Sequence, residues 1–246
     1  MSPRFYYPAL PDAGGPVDLP AALSHHAVTV LRMQPGEALV LFDGHGREAA
    51  ASVIEARKQA LRVACEPPVA IDRENALQIT LVQALPSGDK MDWIVEKCTE
   101  LGIAAIQPIQ ATRSVVKLQG ERAEKKQQRW QDIAIAACAQ CGRNVAPTIL
   151  PVQSCASWLS TPPKPGLHLL LDLAPDIPRL SQLDFTAVKS AAITVMVGPE
   201  GAFTDEEISQ ALAAGFQAVN LGRRILRTET AGVAFLAAVN TLLGDF

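Results

Sequence analysis

The sequence predicts an α/β protein in which a small N-terminal β-barrel precedes a parallel sheet covered by helices. Short strands separated by turn signals run to about residue 66, and from about residue 73 strands alternate with helices. Such alternation is typical of a parallel sheet. Two late strands end in turns that contain glycine. We therefore predict two domains, residues 1–72 and residues 73–246.

The first domain is predicted to be a strand meander with little helix. Its strand patterns are EALVLFD (37–43), REAAASVIEA (47–56) and ALRVACE (60–66), and a helical turn is expected within LSHHAVTVLRM (23–33). Glu66-Pro67-Pro68 interrupts the last strand, and the polar segment IDREN follows it. These breaks place the domain boundary near residue 72.

The second domain is predicted from apolar runs and helical spacing. Met91, Ile94, Val95, Cys98 and Leu101 recur at helical intervals, and Gly102 is a stop signal for that helix. A long helix is expected over roughly 121–141, and further helices over 206–215 and 229–243. The predicted strands are LQITLVQAL (77–85), IAAIQPIQ (103–110), GLHLLLDL (166–173), AAITVMVG (191–198) and QAVNLG (217–222).

Composition excludes several classes of protein. Of the 246 residues, 48% are hydrophobic and 19% are charged, which argues against a disordered chain. No apolar run approaches the roughly 20 residues that cross a bilayer, and the start has no secretory pattern, so we expect a cytoplasmic protein. Cys138 and Cys141 form one C-x-x-C among five cysteines, and the two further ligands of a zinc site are missing. We therefore expect reduced cysteines and no metal.

The formal net charge is −3, but basic residues are concentrated in two segments. One contains Arg113, Lys117, Arg122, Lys125, Lys126 and Arg129, and the other contains Arg223, Arg224 and Arg227. Phosphate contacts depend on such local patches rather than on the overall charge. A solvated helix face is the alternative interpretation of the first segment.

Two predicted strand ends combine features of a small-ligand site. The strand at 191–198 continues into Gly198-Pro199-Glu200-Gly201, and Thr204 with Glu207 predicts a capping box at the start of the next helix. The strand at 217–222 continues into Arg223–Arg227, before the last helix. Ligands gather at the carboxyl ends of parallel strands, where backbone amides lack partners. Ordinary connecting loops are the alternative. The phosphate-binding, dinucleotide-binding and common hydrolase motifs are absent.

The ordered motifs resemble the RsmE family of small-subunit ribosomal RNA uridine-N3 methyltransferases, in the SPOUT superfamily. The matching segments span nearly the whole chain: RFYY, HHAVTVLRMQPGE, LPSGDKMDWIVEKCTELGI, RSVVK, QCGRN, VGPEGAFTDEE and LGRRILRTETA. The resemblance implies an N-terminal PUA-like barrel that binds RNA and a C-terminal SPOUT domain with a trefoil knot. It also implies a homodimer whose active site is completed across the interface, with 16S rRNA of the small ribosomal subunit as substrate.

By the same resemblance, S-adenosylmethionine is the cofactor, and the product is S-adenosylhomocysteine. Its expected contacts lie at the end of one strand and in the two loops, with adenine near the backbone of the second loop. The expected cofactor-binding residues are Leu171, Gly198, Pro199, Glu200, Gly201, Leu221, Gly222, Ile225, Leu226, Arg227, Thr230 and Ala231.

The acceptor nitrogen of uracil must lose its proton, so the site needs a proton acceptor and donors near the flanking oxygens. Gln140, Arg143 and Arg227 are the candidate donors, and Glu229 or Glu200 is the candidate proton acceptor. The alternatives are a phosphate contact or helix-end charge for Arg143, an exposed polar position for Gln140, helix-start charges for the carboxylates, and solvent as the acceptor. The candidate RNA-binding residues are Arg4, His25, His26, Arg32, Arg113 and Lys117.

One position departs from the family pattern. Relatives commonly carry Glu before Gln-Cys-Gly-Arg, and this chain has Ala139. We interpret the lost Glu as helix support. Two alternative functions remain open, methylation of a ribose 2′-hydroxyl and an RNA-binding assembly factor without catalysis.

Overall fold

A computed structural model describes residues 2–57, 60–161, 165–174, 176–185, 192–243 and 246. The chain divides into two compact units. The first comprises residues 1–74 and 135–146, and the second comprises 75–134 and 147–246.

The first unit has the strands β1 (Arg4–Tyr6), β2 (Gly15–Leu19), β3 (Ala38–Phe42), β4 (Arg47–Arg57), β5 (Ala60–Cys65) and β6 (Val69–Ala70). They form a six-stranded sheet with the order β1-β3-β4-β5-β2, and β6 pairs with β4. The β3–β4–β5 meander is antiparallel, as predicted, whereas β1 runs parallel to β3. Alternate residues of β5 are buried, which is the pattern of a strand with one face on a core. The sequence analysis missed the short strands β1 and β2.

The predicted helical turn of this unit is present and has an unusual geometry. Helix α1 (Ala21–His25) continues into a π-helix over His26–Val30. Arg32 follows with a φ of 57°, and Met33 then turns into the core with 2% of its surface exposed. The left-handed backbone at Arg32 thus ends the helical segment and directs Met33 inward.

The second unit has the strands β7 (Ile79–Ala84), β8 (Ala105–Gln110), β9 (Thr148–Ile149), β10 (Gln153–Ser154), β11 (Leu167–Leu171), β12 (Ile193–Val197) and β13 (Gln217–Val219). They form a parallel sheet with the order β10-β8-β7-β12-β11-β13, and β9 pairs with β8. The α/β class with a parallel sheet is therefore confirmed. The five predicted strands correspond to β7, β8, β11, β12 and β13, although residue 191 of the fourth lies outside the described residues.

Helices cover both faces of this sheet. Successive strand residues alternate between two apolar clusters, one on each face. Leu81 lies in the cluster that holds Phe235 of α6 (Thr228–Leu243), and Val82 lies in the cluster that holds Ala211 of α5 (Asp205–Ala213). Gly102 adopts a φ of 82° just after α2, which confirms the predicted helix stop. The trefoil knot stays a prediction. The helices are α2 (Lys90–Glu100), α3 (Gly120–Cys141), α4 (Cys155–Leu159), α5 (Asp205–Ala213) and α6 (Thr228–Leu243). The end of α3, from residue 135, belongs to the first unit.

Candidate functional site at the strand ends

A pocket of about 420 Å³ opens at the carboxyl ends of β11, β12 and β13. Three segments form its wall: the end of β11, the loop at 198–204, which we call the GPEG loop, and the loop at 221–227, which we call the arginine loop. The volume falls in the range of small-molecule sites, roughly 300–1,000 Å³. The position matches the edge where open parallel sheets bind ligands.

The GPEG loop packs closely against itself. A Cβ added to Gly198 would lie 3.3 Å from the Phe203 ring and from its backbone nitrogen, so that the missing side chain makes room for Phe203. The Ala202 N–H donates to the Pro199 carbonyl at 2.9 Å, and Ala202 has a φ of 58°. A non-glycine residue in this region costs about 1 kcal/mol or more. Contacts around the loop must therefore hold it in place.

One such contact comes from the start of α2. The Glu200 carboxylate accepts hydrogen bonds from the Ser87 backbone and hydroxyl at 3.0 and 2.7 Å and from Lys90 Nζ at 2.7 Å. Burial raises the pKa of Glu200, but the bonds from Lys90 and Ser87 outweigh it and lower that pKa to about 2. A carboxylate with so low a pKa is a weak proton acceptor near neutrality. Glu200 therefore fits a structural role better than a catalytic one.

A second contact joins the GPEG loop to the start of α6. The Thr228 hydroxyl, at the start of α6, donates to the Gly198 carbonyl at 2.6 Å and accepts from Gln83 Nε2 at 3.0 Å. Gln83 is fully buried on β7, and its Oε1 has no hydrogen-bond partner among the described residues. A buried side-chain network thus fixes where the last helix begins relative to the GPEG loop.

The predicted catalytic residues Arg227 and Glu229 both line the pocket. Glu229 lies between two cations: Lys90 Nζ is 3.5 Å from its Oε2, and Arg227 Nη1 is 3.9 Å from its Oε1. The Oε2 atom is buried, and the Lys90 contact is too long for a good hydrogen bond. The Arg227 side chain is 83% exposed, so its guanidinium is free to approach a ligand at the rim.

Most predicted cofactor-binding residues line this pocket, and two do not. Gly201 is one exception. A Cβ there would lie 3.1 Å from the Arg113 Cβ. The absence of a side chain at Gly201 therefore serves the approach of Arg113. Thr230 is the other exception. The residues that do line it are Leu171, Gly198, Pro199, Glu200, Leu221, Gly222, Ile225, Leu226, Arg227 and Ala231.

The sequence analysis missed several lining residues, of which Lys90, Asp172 and Arg224 carry charge. Asp172 directly follows β11, and this position at a strand end was the available signal. Lys90 lies at the start of α2, far from both loops in the sequence. Apolar members of the wall were also missed, namely Leu170, Leu173, Val197, Ala202, Phe203 and Ile208.

Gln140 and Arg143 belong to the first unit. Gln140 is exposed near the end of α3. Arg143 is 5% exposed, and its guanidinium donates to the Glu74 carboxylate through both Nε and Nη2. This geometry gives Arg143 a structural role within the unit, and its contact with a substrate stays a prediction.

Arg4, predicted to bind RNA, lies next to the Arg143–Glu74 pair, and its Nη2 donates to the Arg143 carbonyl. Its Nη1 donates to Glu48 Oε2 at 2.8 Å, its Nη2 donates to Asn144 Oδ1 at 2.6 Å, and its guanidinium carbon lies 5.2 Å from the Phe42 ring centre. Arg73 donates to the same Glu48 oxygen at 2.8 Å. Hydrogen bonds from Arg73, then Arg4, lower the pKa of Glu48 to about 2, although burial raises it. The RFYY and QCGRN motifs therefore meet in one network.

The other predicted RNA-binding residues are exposed. His25 and His26 lie on the α1 and π-helix segment of the first unit, and Arg32 follows this segment, after the exposed Val30 and Leu31. Lys117 is exposed in the second unit. Arg113 is exposed too, but its Nη1 donates to the Gly201 carbonyl at 3.0 Å and lies 3.4 Å from the Phe203 carbonyl.

In the described part of the chain, no group of three His, Cys, Asp or Glu residues could hold a metal ion. Burial raises the pKa of the Cys138 thiol to about 12, whereas Cys141 is exposed. No helix in the same residues is long and apolar enough to span a membrane.

The parallel sheet and its strand-end pocket define a ligand-binding α/β domain, and comparison with known proteins names its class. Residues 73–240 match the model of an RNA methyltransferase domain, and residues 19–64 match that of an RNA methyltransferase PUA domain. The predicted PUA-like region and methyltransferase domain are thus confirmed.

The similar proteins narrow the class. Ribosomal RNA small subunit methyltransferase E of Bacillus subtilis is 32% identical over 88% of this chain and 86% of its own length. The crystal structure of the Neisseria gonorrhoeae protein of that name, bound to S-adenosylmethionine, is 43% identical, with complete coverage of both chains and a TM-score of 0.92. A Legionella pneumophila methyltransferase in complex with the same cofactor has 32% identity, 98% coverage of both chains and a TM-score of 0.91. The chain belongs to the ribosomal RNA small subunit methyltransferase E family.

Proposed function

We propose that this protein transfers a methyl group from S-adenosylmethionine to N3 of a specific uridine in 16S rRNA. The observation that carries the proposal is the strand-end pocket, because residues of VGPEGAF and LGRRILRTE, the two segments expected to hold the cofactor, form much of its wall. The chain's family supports the choice of substrate.

The pocket fits S-adenosylmethionine in size and chemistry. Leu171, Leu226 and Ile225 supply apolar surface for a flat ring, and the backbone of both loops supplies donors and acceptors for its edge. Asp172 and Glu229 place carboxylates on the wall, where they complement a cofactor that carries positive charge.

The bound cofactor would supply a methyl group on a positively charged sulfur, so the protein residues have to position and deprotonate the acceptor. We propose that Arg227 donates to a uracil oxygen, because it is exposed at the rim, and that Glu229 accepts the N3 proton. Positioning of the reacting groups contributes several kcal/mol in such reactions. Gln140 and Arg143 remain proposed contacts to the base.

We also propose that residues 1–72 hold the RNA, with the exposed His26 and Arg32 and with Lys117 of the second domain as phosphate contacts. The chain would act as a homodimer. Exposed apolar side chains on α2 and α6, Trp93 and Leu242, support an interface in the second unit. A ribosomal substrate and an odd number of cysteines support a cytoplasmic location.

One experiment tests the activity. The protein is incubated with methyl-labelled S-adenosylmethionine and small subunits that lack the modification, and the labelled nucleoside is identified by mass spectrometry. We expect 3-methyluridine. Label on a ribose 2′-oxygen would overturn the N3 assignment, and cofactor binding without any label would favour an assembly factor.

A further inference from the structure

Arg113 lies in the loop at 111–119 between β8 and α3, which we call the basic loop because it holds Arg113 and Lys117. The sequence analysis assigns both residues to RNA, yet the side chain of Arg113 points to the GPEG loop. Its Nη1 donates to the Gly201 carbonyl at 3.0 Å and lies 3.4 Å from the Phe203 carbonyl. These two carbonyls flank Ala202, the residue with the left-handed backbone. The guanidinium thus contacts the loop on both sides of its strained residue.

Gly201 supports the same interpretation. A Cβ at Gly201 would lie 3.1 Å from the Arg113 Cβ, which is tighter than ordinary van der Waals contact, and 3.5 Å from its Cδ. Since Gly201 does not line the pocket, its lack of a side chain is explained by the Arg113 stem that packs on it. The contact is therefore a packed one and involves more than a single exposed hydrogen bond.

Glu207 joins the basic loop and the GPEG loop at a second point. One carboxylate oxygen accepts from the Thr112 backbone at 2.8 Å, and the other accepts from the Thr204 backbone at 2.9 Å. Thr112 immediately precedes Arg113, and Thr204 immediately follows Phe203. Burial raises the pKa of Glu207, but the hydrogen bonds from Thr204 and Thr112 lower it overall, so the carboxylate stays charged near neutrality. Arg113 is thus held at a fixed distance from the GPEG loop.

We infer that Arg113 is a positioning residue for the cofactor-binding loop and not primarily an RNA contact. It holds the carbonyls of Gly201 and Phe203, so Ala202 and Phe203 form the pocket wall before the cofactor arrives. This inference rests on the proposed function for the identity of the ligand, but the order of the loop can be measured without any ligand.

The test compares two variants that each lose one positive charge from the basic loop. Arg113→Met keeps much of the stem but removes the donors. Lys117→Met is the matched control, because no hydrogen bond or ion pair joins Lys117 to the GPEG loop among the described residues. We expect Arg113→Met to raise the Kd for S-adenosylmethionine roughly fivefold, the loss of one net hydrogen bond. The KM for the cofactor should rise with little change in kcat, and Arg113→Lys should restore part of the affinity.

Hydrogen exchange in the cofactor-free protein gives the second readout. The Ala202 amide should exchange faster in Arg113→Met than in the wild type, and at the wild-type rate in Lys117→Met. If Arg113→Met weakens rRNA binding as Lys117→Met does, with unchanged cofactor affinity and unchanged exchange, the inference is wrong. Failure of the wild-type protein to bind S-adenosylmethionine would overturn the proposed function, and the exchange rates would still decide the role of Arg113.

Discussion

The two loops of the pocket differ in how they are held. The GPEG loop receives contacts from α2 through Ser87 and Lys90, from the basic loop through Arg113, and from α6 through Thr228. The hydrogen bonds described for the arginine loop are local, such as Gly222 N to Asn220 Oδ1 at 3.1 Å. Its Ile225 lines the pocket although 79% of its surface is exposed.

This difference divides the work of binding between the loops. A wall that is fixed in advance costs little entropy when a ligand binds, whereas an exposed loop must become ordered. We therefore expect changes to the GPEG loop to affect both stability and cofactor affinity, and changes to the arginine loop to affect affinity alone.

The largest effect is expected at Gly198. Gly198→Val places methyl groups where Phe203 packs, and such overpacking costs about 1–3 kcal/mol. Cofactor affinity should fall at least about tenfold in a calorimetric titration. Ala213→Val, on the exposed end of α5, is the control and should bind like the wild type. An unchanged Kd in Gly198→Val would contradict this placement of the site.

Removing the charge of Glu207 should destabilise the fold. In Glu207→Gln the amide nitrogen cannot accept the bonds from Thr112 or Thr204, which should cost about 1–3 kcal/mol in urea unfolding near neutral pH. Because the pKa of Glu207 is lowered in the folded state, its stabilisation is full above the unfolded value of 4.5 and is lost as pH falls through the folded pKa. The difference between variant and wild type should therefore shrink in acid.

Glu206→Gln is the matched control for this comparison, since Glu206 precedes Glu207 on α5 and is exposed. It should unfold within about 0.5 kcal/mol of the wild type. Equal destabilisation by the two substitutions would mean that general helix-start charge, and not the bonds to Thr112 and Thr204, is responsible.

Lys90→Met should change the titration of Glu200. Loss of the Lys90 hydrogen bond leaves burial opposed only by Ser87 and the backbone, so the pKa of Glu200 should rise from about 2 toward its ordinary value of 4.5. Carbon NMR of the Glu200 carboxyl measures the shift directly. Lys97→Met, on the outer part of the same helix, should leave it unchanged. A Glu200 that still titrates near 2 would remove Lys90 as the cause.

The smallest effect is expected at Ile225. Ile225→Ala should leave the free energy of unfolding within about 0.5 kcal/mol, because the side chain is exposed. Cofactor affinity should nevertheless fall roughly two- to fivefold through lost apolar contact. Leu212→Ala, which removes another exposed apolar side chain outside the pocket, should affect neither quantity. A destabilised Ile225→Ala would show that the arginine loop is packed and would end the contrast between the loops.

The sequence predicted the elements that have a local signal. Apolar runs located β7, β8, β11, β12 and β13, helical spacing located α2, and the Thr204–Glu207 capping box is present in both of its bonds. The strands β9 and β10, of two residues each, carry no such periodicity. Their existence depends on pairing with β8, which is a tertiary effect.

The site was less predictable because its charges are settled by distant partners. Glu207 was visible as a helix cap, but its second oxygen serves Thr112, 95 positions earlier. Motif resemblance could mark Arg4 and Arg143 without showing that they share a buried network with Glu48 and Glu74. For both arginines, sequence reasoning identified the residue, and only the fold shows which groups it faces.

That network also orders events during synthesis of the chain. Arg4 and Glu48 are made early, but Asn144, to which Arg4 donates, emerges from the ribosome about 140 residues after Arg4. Until then Arg4 and Arg73 are paired with Glu48, but Glu74 lacks Arg143 and Arg4 lacks its Asn144 acceptor. A nascent or truncated chain that ends at residue 74 therefore cannot complete its own N-terminal unit. Maturation of this unit awaits translation of the methyltransferase segment that closes it.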